Sequence, residues 1–281
     1  MSKKRALIVQ PGKMGDVILL SPVAKHYYDQ GYKIDWPVFS NFVSYFEQIP
    51  YVDAIDFGLK LADSVFHDKK RMPMMRHGEK LYSHDECVQY FVEVEKLKKE
   101  NQYDLVLDAC WGFPGQAFSA TKQAAINEYM FGKKKWITLK YKMCNVPLLE
   151  RWNLAWDRDL KKEEALLGFI KKFARKKYGS EKYSIVHTYA SNNLPAYKVE
   201  NPINFSYIQG FEVYDWLSVL ENSEKIVCVD SCLCHFVETQ PSLRDKEKFY
   251  LGSEEIHWSY FMFNILTNNW TNLTKSNTTD E

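Results

Sequence analysis

Short apolar runs alternate with longer amphipathic stretches along this 281-residue chain, and this alternation constrains the fold more than any other feature. It is typical of βαβ units, in which helices join parallel strands. The first run, Ala6 to Gln10, leads into a turn with Pro and Gly and then into a predicted helix from Gly15 to Gln30. The sequence therefore predicts an α/β fold with mostly parallel sheets.

The remaining elements of the first half follow the same alternation. They are predicted over residues 33–39 (strand), 41–48 (helix), 53–57 (strand), 86–100 (helix), 103–112 (strand), 117–130 (helix) and 135–141 (strand). Residues 58–83 show no sustained period. We interpret this segment as an inserted loop, because a segment of that length within a compact domain is usually functional or mobile.

A hinge is predicted over residues 147–159, where periodicity is weak. We therefore divide the chain into an N-terminal domain, residues 1–155, and a C-terminal domain, residues 156–281. The second domain repeats the scheme, with elements predicted over residues 160–177 (helix), 183–189 (strand), 204–207 (strand), 214–221 (helix), 225–230 (strand), a short helix from 231, 248–252 (strand) and a helix after 254.

Composition excludes several classes of protein. The formal net charge is +1, so no global field attracts a polyanion, although basic residues form local clusters. No run of about 18 apolar residues is present, and we predict no integral membrane segment. Cys110, Cys228, Cys232 and Cys234 lie in or beside apolar runs, which suits reduced thiols and a cytoplasmic location.

The first chemical motif runs from Gln10 to Pro22, where a strand meets a glycine-containing turn and a helix. Glycines such as Gly12 and Gly15 let the backbone approach a ligand, and a helix start offers free N–H groups. Asp16 lies where ligands of open α/β sheets bind and would be suited to general-base work. The alternative is an ordinary first-turn aspartate that complements the helix dipole.

The second motif runs from Val227 to Glu238 and forms another strand-to-helix junction. Asp230 and Ser231 suit the N-cap, so the following N–H groups are predicted to face a diphosphate, with His235 on the same turn. The alternative is a capped helix with a buried histidine.

The two motifs, in this order, resemble those of glycosyltransferase family nine, the heptosyltransferase-like enzymes. The stretch from "ALIVQPGKMGDVILLSP" to "VDAI" is similar to the family's N-terminal domain, and "DWLSVLENSEKIVCVDSCLCHFVE" to its donor site. "YDLVLDACWG" and "FGKKKWITL" stand where the family has its fourth and fifth N-domain strands. The resemblance implies a GT-B fold, in which two Rossmann-like domains with parallel sheets face each other across a cleft.

The resemblance also implies roles for individual residues. Asp16 matches the catalytic base, and the donor segment is matched by Asp230, Ser231, Leu233 and His235, with Cys232 in place of the family's glycine. Lys198 is our choice for a phosphate contact in a loop that only loosely follows the family pattern. The remaining residues assigned to phosphate or acceptor are Gly12, Lys13, Gly15, Asp108 and Trp111.

The function that this implies is an inverting, metal-independent transfer of sugar from a nucleotide-sugar donor to a hydroxyl of a saccharide or lipid-linked glycan, with no further cofactor. Basic and aromatic residues over 66–82 and 133–142 leave open a phage-type glycosyltransferase acting on hydroxymethylated DNA bases. A non-catalytic, nucleotide-binding GT-B protein is a third possibility. The spacing of His67, His77, His84 and Cys87 matches no zinc pattern, and little supports Cys234 as a nucleophile.

Overall fold

A computed structural model describes residues 4–12, 14–59, 84–110, 136–187, 198–229, 231–251 and 269–273. The chain divides into two compact units, residues 1–157 and 158–281. The predicted helices at 117–130 and after 254 and most of the predicted insert lie outside the described residues.

In the first unit, the described strands form a parallel sheet with the order β3-β2-β1-β4. Its strands are β1 (Lys4–Val9), β2 (Tyr32–Val38), β3 (Val52–Asp56) and β4 (Leu105–Asp108). The inner strand β1 consists largely of buried aliphatic residues, as expected for a parallel sheet covered on both faces. In the register, Val9 lies beside Asp108, so the ends of β1 and β4 share the carboxyl edge.

The helices of the first unit are α1 (Met14–Asp29), α2 (His84–Glu100) and α3 (Trp136–Met143), with 3₁₀ turns at Ser40–Phe46 and Leu148–Trp152. Helix α1 has an almost continuously buried middle, from Val17 to Ala24. The Tyr141 hydroxyl of α3 donates to the carbonyl of Leu19 in α1 at 2.9 Å. Helix α3 therefore packs directly on the helix that follows β1.

The predicted strand over 135–141 is wrong, because residues 136–143 form α3. The alternation of Ile137, Leu139 and Tyr141 fits a period of two. Ile137, Lys140, Tyr141 and Cys144 also fit the helical spacing i, i+3, i+4, i+7, and all four are buried. Packing against α1 selects the helix, so this segment is not a fifth strand of the described sheet.

In the second unit, the described strands form a parallel sheet with the order β6-β5-β7-β8-β9. The strands are β5 (Ser184–His187), β6 (Pro202–Asn204), β7 (Lys225–Val229), β8 (Glu247–Leu251) and β9 (Trp270–Asn272). Val186, Val227, Val229, Phe249 and Leu251 form an apolar cluster on this sheet.

The predicted strand over 204–207 is also misplaced, since β6 ends at Asn204. The Phe205 amide still donates to the Val186 carbonyl, but its ring then packs on Trp216, with the ring centroids 4.8 Å apart. Tyr207 is 71% exposed. Strand β9 was not predicted, and its pairing with β8 places Trp270 beside Lys248.

The helices of the second unit are α4 (Leu160–Tyr178), α5 (Leu217–Asn222) and α6 (Cys232–Glu238), with 3₁₀ turns at Val213–Trp216 and Pro241–Leu243. Asp159 caps α4 by accepting from the amides of Lys161 and Lys162, and Gly179 ends it in the left-handed region. Within the described part of the chain, none of these helices is long and apolar enough to cross a bilayer.

Candidate functional site

Asp16 lies in the first turn of α1, just beyond the carboxyl end of β1. Its side chain is 13% exposed. Gln10, the residue after β1, is fully buried, and its side-chain amide donates to Asp16 Oδ2 at 3.1 Å and to the Gly12 carbonyl at 3.2 Å. One buried amide thus connects the carboxylate to the turn between strand and helix.

Lys140 of α3 supplies a positive charge to the same carboxylate. Its Nζ lies 3.1 Å from Asp16 Oδ1, 2.7 Å from Gln10 Oε1 and 3.0 Å from the carbonyl oxygen of Ala109. The lysine side chain is only 7% exposed, so the pair is poorly screened by water and its attraction is strong. Asp16, Gln10 and Lys140 form one connected group, which we call the Asp16 triad.

The triad leaves the carboxylate able to accept a further proton or hydrogen bond. Each carboxylate oxygen has about two lone-pair sites, and Gln10 and Lys140 each contact a different oxygen. Because Asp16 retains some exposure, a hydroxyl group could approach it from the solvent side. The carboxylate is held in one orientation and is partly open to solvent, and both properties suit a general base.

The turn before Asp16 has a close-packed backbone. Gly12 has φ of +138°, and a Cβ added there would lie 2.2 Å from Cδ2 of Phe42. The Phe39 amide donates to the Pro11 carbonyl, and Trp36 Nε1 donates to the Gln10 carbonyl at 2.8 Å. A glycine is therefore required at this position by both its conformation and its neighbour.

The other residues assigned to the first site are placed as follows. Gly15 lies in the first turn of α1, and Asp108 ends β4 at the same sheet edge as Val9. Asp108 Oδ1 accepts from the Cys110 amide at 3.3 Å. Lys13 and Trp111 lie outside the described residues.

The strand-to-helix corner of the second unit joins β7 to α6. Ser231 is the N-cap of α6, as predicted, and its hydroxyl accepts from the Cys234 amide at 3.5 Å. The same hydroxyl lies 2.8 Å from Nδ1 of His187, the last residue of β5. Asp230 lies outside the described residues.

Burial favours the neutral forms of the titratable residues that the structure describes at this second corner. Desolvation lowers the pKa of His187 to about 4, and its ring packs edge-on against Phe205. Burial also raises the pKa of Cys232 to about 12, so its thiol stays protonated at neutral pH. Cys234 is fully buried, which argues against a nucleophilic role.

The predicted donor residues differ in exposure. Leu233 and His235 are buried within α6, and Cys232 begins the helix without a left-handed backbone, so a residue other than glycine causes no backbone strain there. Lys198 is exposed, and the next residue, Val199, packs against the apolar cluster of the second sheet. Of these residues, Ser231 and Lys198 therefore keep polar groups that are at least partly exposed to solvent, whereas His235 is buried.

Sequence reasoning missed three residues at the two corners: Gln10, Lys140 and His187. Lys140 had a detectable signal, because it lies between Ile137 and Tyr141 on an apolar helical face, where a lysine needs a partner. The partner itself was not detectable, since Lys140 lies 130 positions from Gln10 in the sequence. No group of three or more His, Cys, Asp or Glu residues suited to a metal is present in the described residues.

Comparison with solved structures identifies similar folds. A glycosyl transferase of family 9 from Veillonella parvula DSM 2008 matches with a TM-score of 0.51 and 10% identity, covering 97% of this chain and 86% of that one. E. coli heptosyltransferase WaaC, solved with ADP, gives a TM-score of 0.41 and 13% identity over 96% of this chain and 90% of that one. E. coli ADP-heptose lps heptosyltransferase II gives 0.42 and 11%, with the same coverage.

These matches differ in weight. The Veillonella structure, with a TM-score above 0.5, confirms the predicted α/β fold class and shows that the fold of this chain is similar to that of a family 9 glycosyl transferase. The sequence itself gives no such match: no protein-family model fits it. A search among curated proteins also finds nothing similar.

Proposed function

We propose that the chain is a glycosyltransferase that moves a sugar from a nucleotide-sugar donor to a hydroxyl group of a saccharide or lipid-linked acceptor. The observation that carries the proposal is the Asp16 triad. It holds a partly open carboxylate at the carboxyl edge of the first sheet, the edge where open α/β sheets bind ligands. The likeness of the whole chain to a family 9 glycosyl transferase supports this reading.

In the proposed reaction, Asp16 takes the proton of the acceptor hydroxyl. The acceptor oxygen then forms a bond to the anomeric carbon, and the bond from that carbon to the diphosphate oxygen breaks. The diphosphate leaves with the bonding electrons, and the configuration at the anomeric carbon is inverted. A general base of this kind contributes about 10²- to 10⁴-fold to the rate.

Gln10 and Lys140 act as positioning residues in this mechanism. The lysine ammonium stabilises the negative charge of Asp16 before the reaction, and the amide fixes the orientation of the second oxygen. Both partners are buried, so the carboxylate is held in place before the acceptor arrives.

We assign the donor to the second unit. Charge on the departing diphosphate would be stabilised by Lys198 and by the backbone N–H groups at the start of α6, which Ser231 caps. His187 contributes a neutral imidazole that orients the Ser231 hydroxyl. The proposal includes no metal, because these positive and N–H groups are assigned to neutralise the leaving group.

A thermal-shift screen of nucleotide sugars tests the proposal. A ligand that binds only the folded chain at 100 times its Kd stabilises it by about 2.7 kcal/mol, which raises the melting temperature by several degrees. The donor that gives the largest shift is then incubated with saccharide acceptors in the presence of EDTA, and NMR of the product reports the anomeric configuration. An inverted product formed at an undiminished rate supports the proposal, whereas no shift with any nucleotide sugar contradicts it.

The nature of the acceptor has its own test. Retention of the protein on duplex DNA is measured at increasing salt. We expect weak retention, as suits a saccharide or lipid-linked acceptor, whereas tight binding that falls steeply with salt would favour the DNA-modifying alternative.

A further inference from the structure

Helix α4 carries an exposed flank on which basic and aromatic side chains alternate. Its inner face is firmly attached to the second unit through Leu166, Ile170 and Ala174, all buried. Glu163 on the same inner face accepts hydrogen bonds from Arg158 and from Ser218 Oγ at 2.6 Å. The helix is therefore a rigid support for whatever its outer side contacts.

Two large apolar side chains stand on that outer side. Phe169 is 54% exposed and Phe173 is 42% exposed, and they lie one helical turn apart. A single exposed apolar residue is common on protein surfaces, but two adjacent phenylalanine rings on one helix form a patch that water solvates poorly.

Lysines flank the two rings. At 100° per residue, a sector of about 160° on this side of α4 contains Ala165, the buried Leu166 and seven basic or aromatic side chains, which we call the basic aromatic face: Lys161, Lys162, Phe169, Lys172, Phe173, Lys176 and Lys177. It contains no acidic residue, because Glu164 points to the other side of the helix and Glu163 is buried.

The charges of this face are not neutralised within the described part of the chain. Its five lysines form no ion pair with a carboxylate there, whereas nearby Arg175 and Lys182 each pair with a glutamate. Lys177 instead lies over the ring of Phe173, with Nζ 5.6 Å from the centroid. The face thus presents a local excess of positive charge on a chain of net charge +1.

We propose that the basic aromatic face docks on an anionic lipid surface. Lysines attract acidic headgroups, and rings on the same face enter the boundary between headgroups and acyl chains. The face is a convex helix side with lysines around two rings, which fits a flat surface. A nucleic acid would be expected to lie in a basic groove that tracks its backbone. This docking is independent of the proposed transfer reaction.

Co-sedimentation of the full chain with lipid vesicles tests the proposal. We expect the protein to sediment with vesicles of equal parts phosphatidylcholine and phosphatidylglycerol and to remain in solution with phosphatidylcholine alone. Replacing Phe169→Ser and Phe173→Ser together should weaken partitioning about a hundredfold, since each buried ring contributes roughly a factor of ten. Replacing Lys172→Gln and Lys176→Gln together should weaken it about 25-fold, at about fivefold per lysine.

Matched controls distinguish vesicle binding through this face from nonspecific adsorption of the protein. Tyr207→Ser removes a more exposed ring from the same unit, and Lys171→Gln with Lys182→Gln removes two lysines outside the face. All controls should bind vesicles as the wild-type chain does, and circular dichroism should show that every variant remains folded, because the changed residues lie outside the buried core.

Three results would overturn the proposal. The first is wild-type protein that stays in solution with the anionic vesicles. The second is vesicle binding that the phenylalanine substitutions leave unchanged. The third is a lysine variant that loses binding to duplex DNA while its vesicle binding is retained, which would assign the face to nucleic acid.

Discussion

The two strand-to-helix corners of this chain share a backbone plan and differ in their electrostatics. The corner between β1 and α1 holds a nearly buried ion pair, Asp16 with Lys140, joined through Gln10. The corner between β7 and α6 is neutral where the structure describes it, with Ser231 bonded to a His187 whose pKa burial lowers to about 4. The described residues of the first corner include an ion pair, whereas those of the second carry hydroxyl and neutral imidazole groups.

This difference fits a division of labour. A carboxylate that acts as a base must be ionised before the reaction, and a nearby cation and amide favour the ionised form and fix its orientation. A group that contacts a diphosphate should not be anionic, and a capped helix start with hydroxyl and N–H groups meets that requirement. Under the proposed function, the same local fold would serve two chemical tasks through its side chains.

Removing the cation from the first corner should have the largest effect on stability. Lys140→Met leaves the Asp16 carboxylate without its charge partner, and breaking a buried pair in this way typically costs about 3 to 5 kcal/mol. Urea unfolding measures the loss. Lys99→Met, on the exposed side of α2, is the control and should change stability by less than about 0.5 kcal/mol.

A double variant sharpens that result. If the loss arises from an unpaired charge, Asp16→Asn combined with Lys140→Met should be more stable than Lys140→Met alone. Equal stability of the two would show that Lys140 matters only for packing.

The turn of the first corner should be the next most sensitive position. Gly12→Ala places a methyl group against the Phe42 ring on a backbone with φ of +138°, and we expect a loss of about 3 kcal/mol. Gly31→Ala, at φ of +89° with no atom within 4 Å of the new Cβ, isolates the backbone contribution. In thermal melts, Gly12→Ala should have a clearly lower melting temperature than Gly31→Ala. Equal melting temperatures of the two variants would show that overlap with the Phe42 ring does not contribute to the loss.

The neutral corner should respond to pH. In the unfolded chain the His187 pKa is near 6.5, and in the fold it is about 4, so the unfolded state binds more protons between these values. The contribution of the neutral imidazole to the free energy of unfolding is fully present above pH 6.5 and is lost as the pH falls towards 4. It is at most about 3 kcal/mol, and less here because the residue is partly exposed.

Unfolding free energies at pH 7.5 and pH 4.5 measure this effect. The difference between the two should be smaller for His187→Gln than for the wild-type chain, because the variant has no imidazole at this position. An identical difference would mean that His187 titrates normally in the fold.

The smallest effect is expected at the N-cap of the second corner. Ser231→Ala removes the acceptor for the Cys234 amide and the partner of His187, and we expect a loss of about 1 kcal/mol. Ser231→Thr keeps the hydroxyl and should stay close to wild type in the same urea experiment. A threonine variant as unstable as the alanine variant would show that the hydroxyl is not the stabilising group.

The sequence was informative about strands that form buried runs. Strands β1, β2, β7 and β8 lie within about two residues of their predicted bounds, because buried apolar runs in a parallel sheet leave a strong signal. Strand β9 has only three residues, and its position depends on pairing with β8 and on Trp270 bonding to Glu238. Such tertiary contacts leave no local pattern.

The candidate site was only partly predictable, because local sequence rules indicate helix starts but not contacts between distant elements. Asp16 and Ser231 follow from local rules about helix starts, and the structure finds both in the first turn or at the cap of a helix. Lys140 joins Asp16 only because α3 packs on α1, and its segment fits a strand as well as a helix by sequence alone. Contacts between elements that are distant in the sequence are visible only in the folded structure.

The most direct test of the account is sugar transfer by the Asp16→Asn variant. Asparagine keeps the shape of the side chain and the contact with Gln10, but it cannot take a proton. We predict a fall in kcat of about 10²- to 10⁴-fold, with the thermal shift produced by the nucleotide sugar unchanged. A folded variant that transfers sugar as fast as the wild-type chain would contradict the role given to Asp16 and leave its carboxylate as a purely structural ion pair.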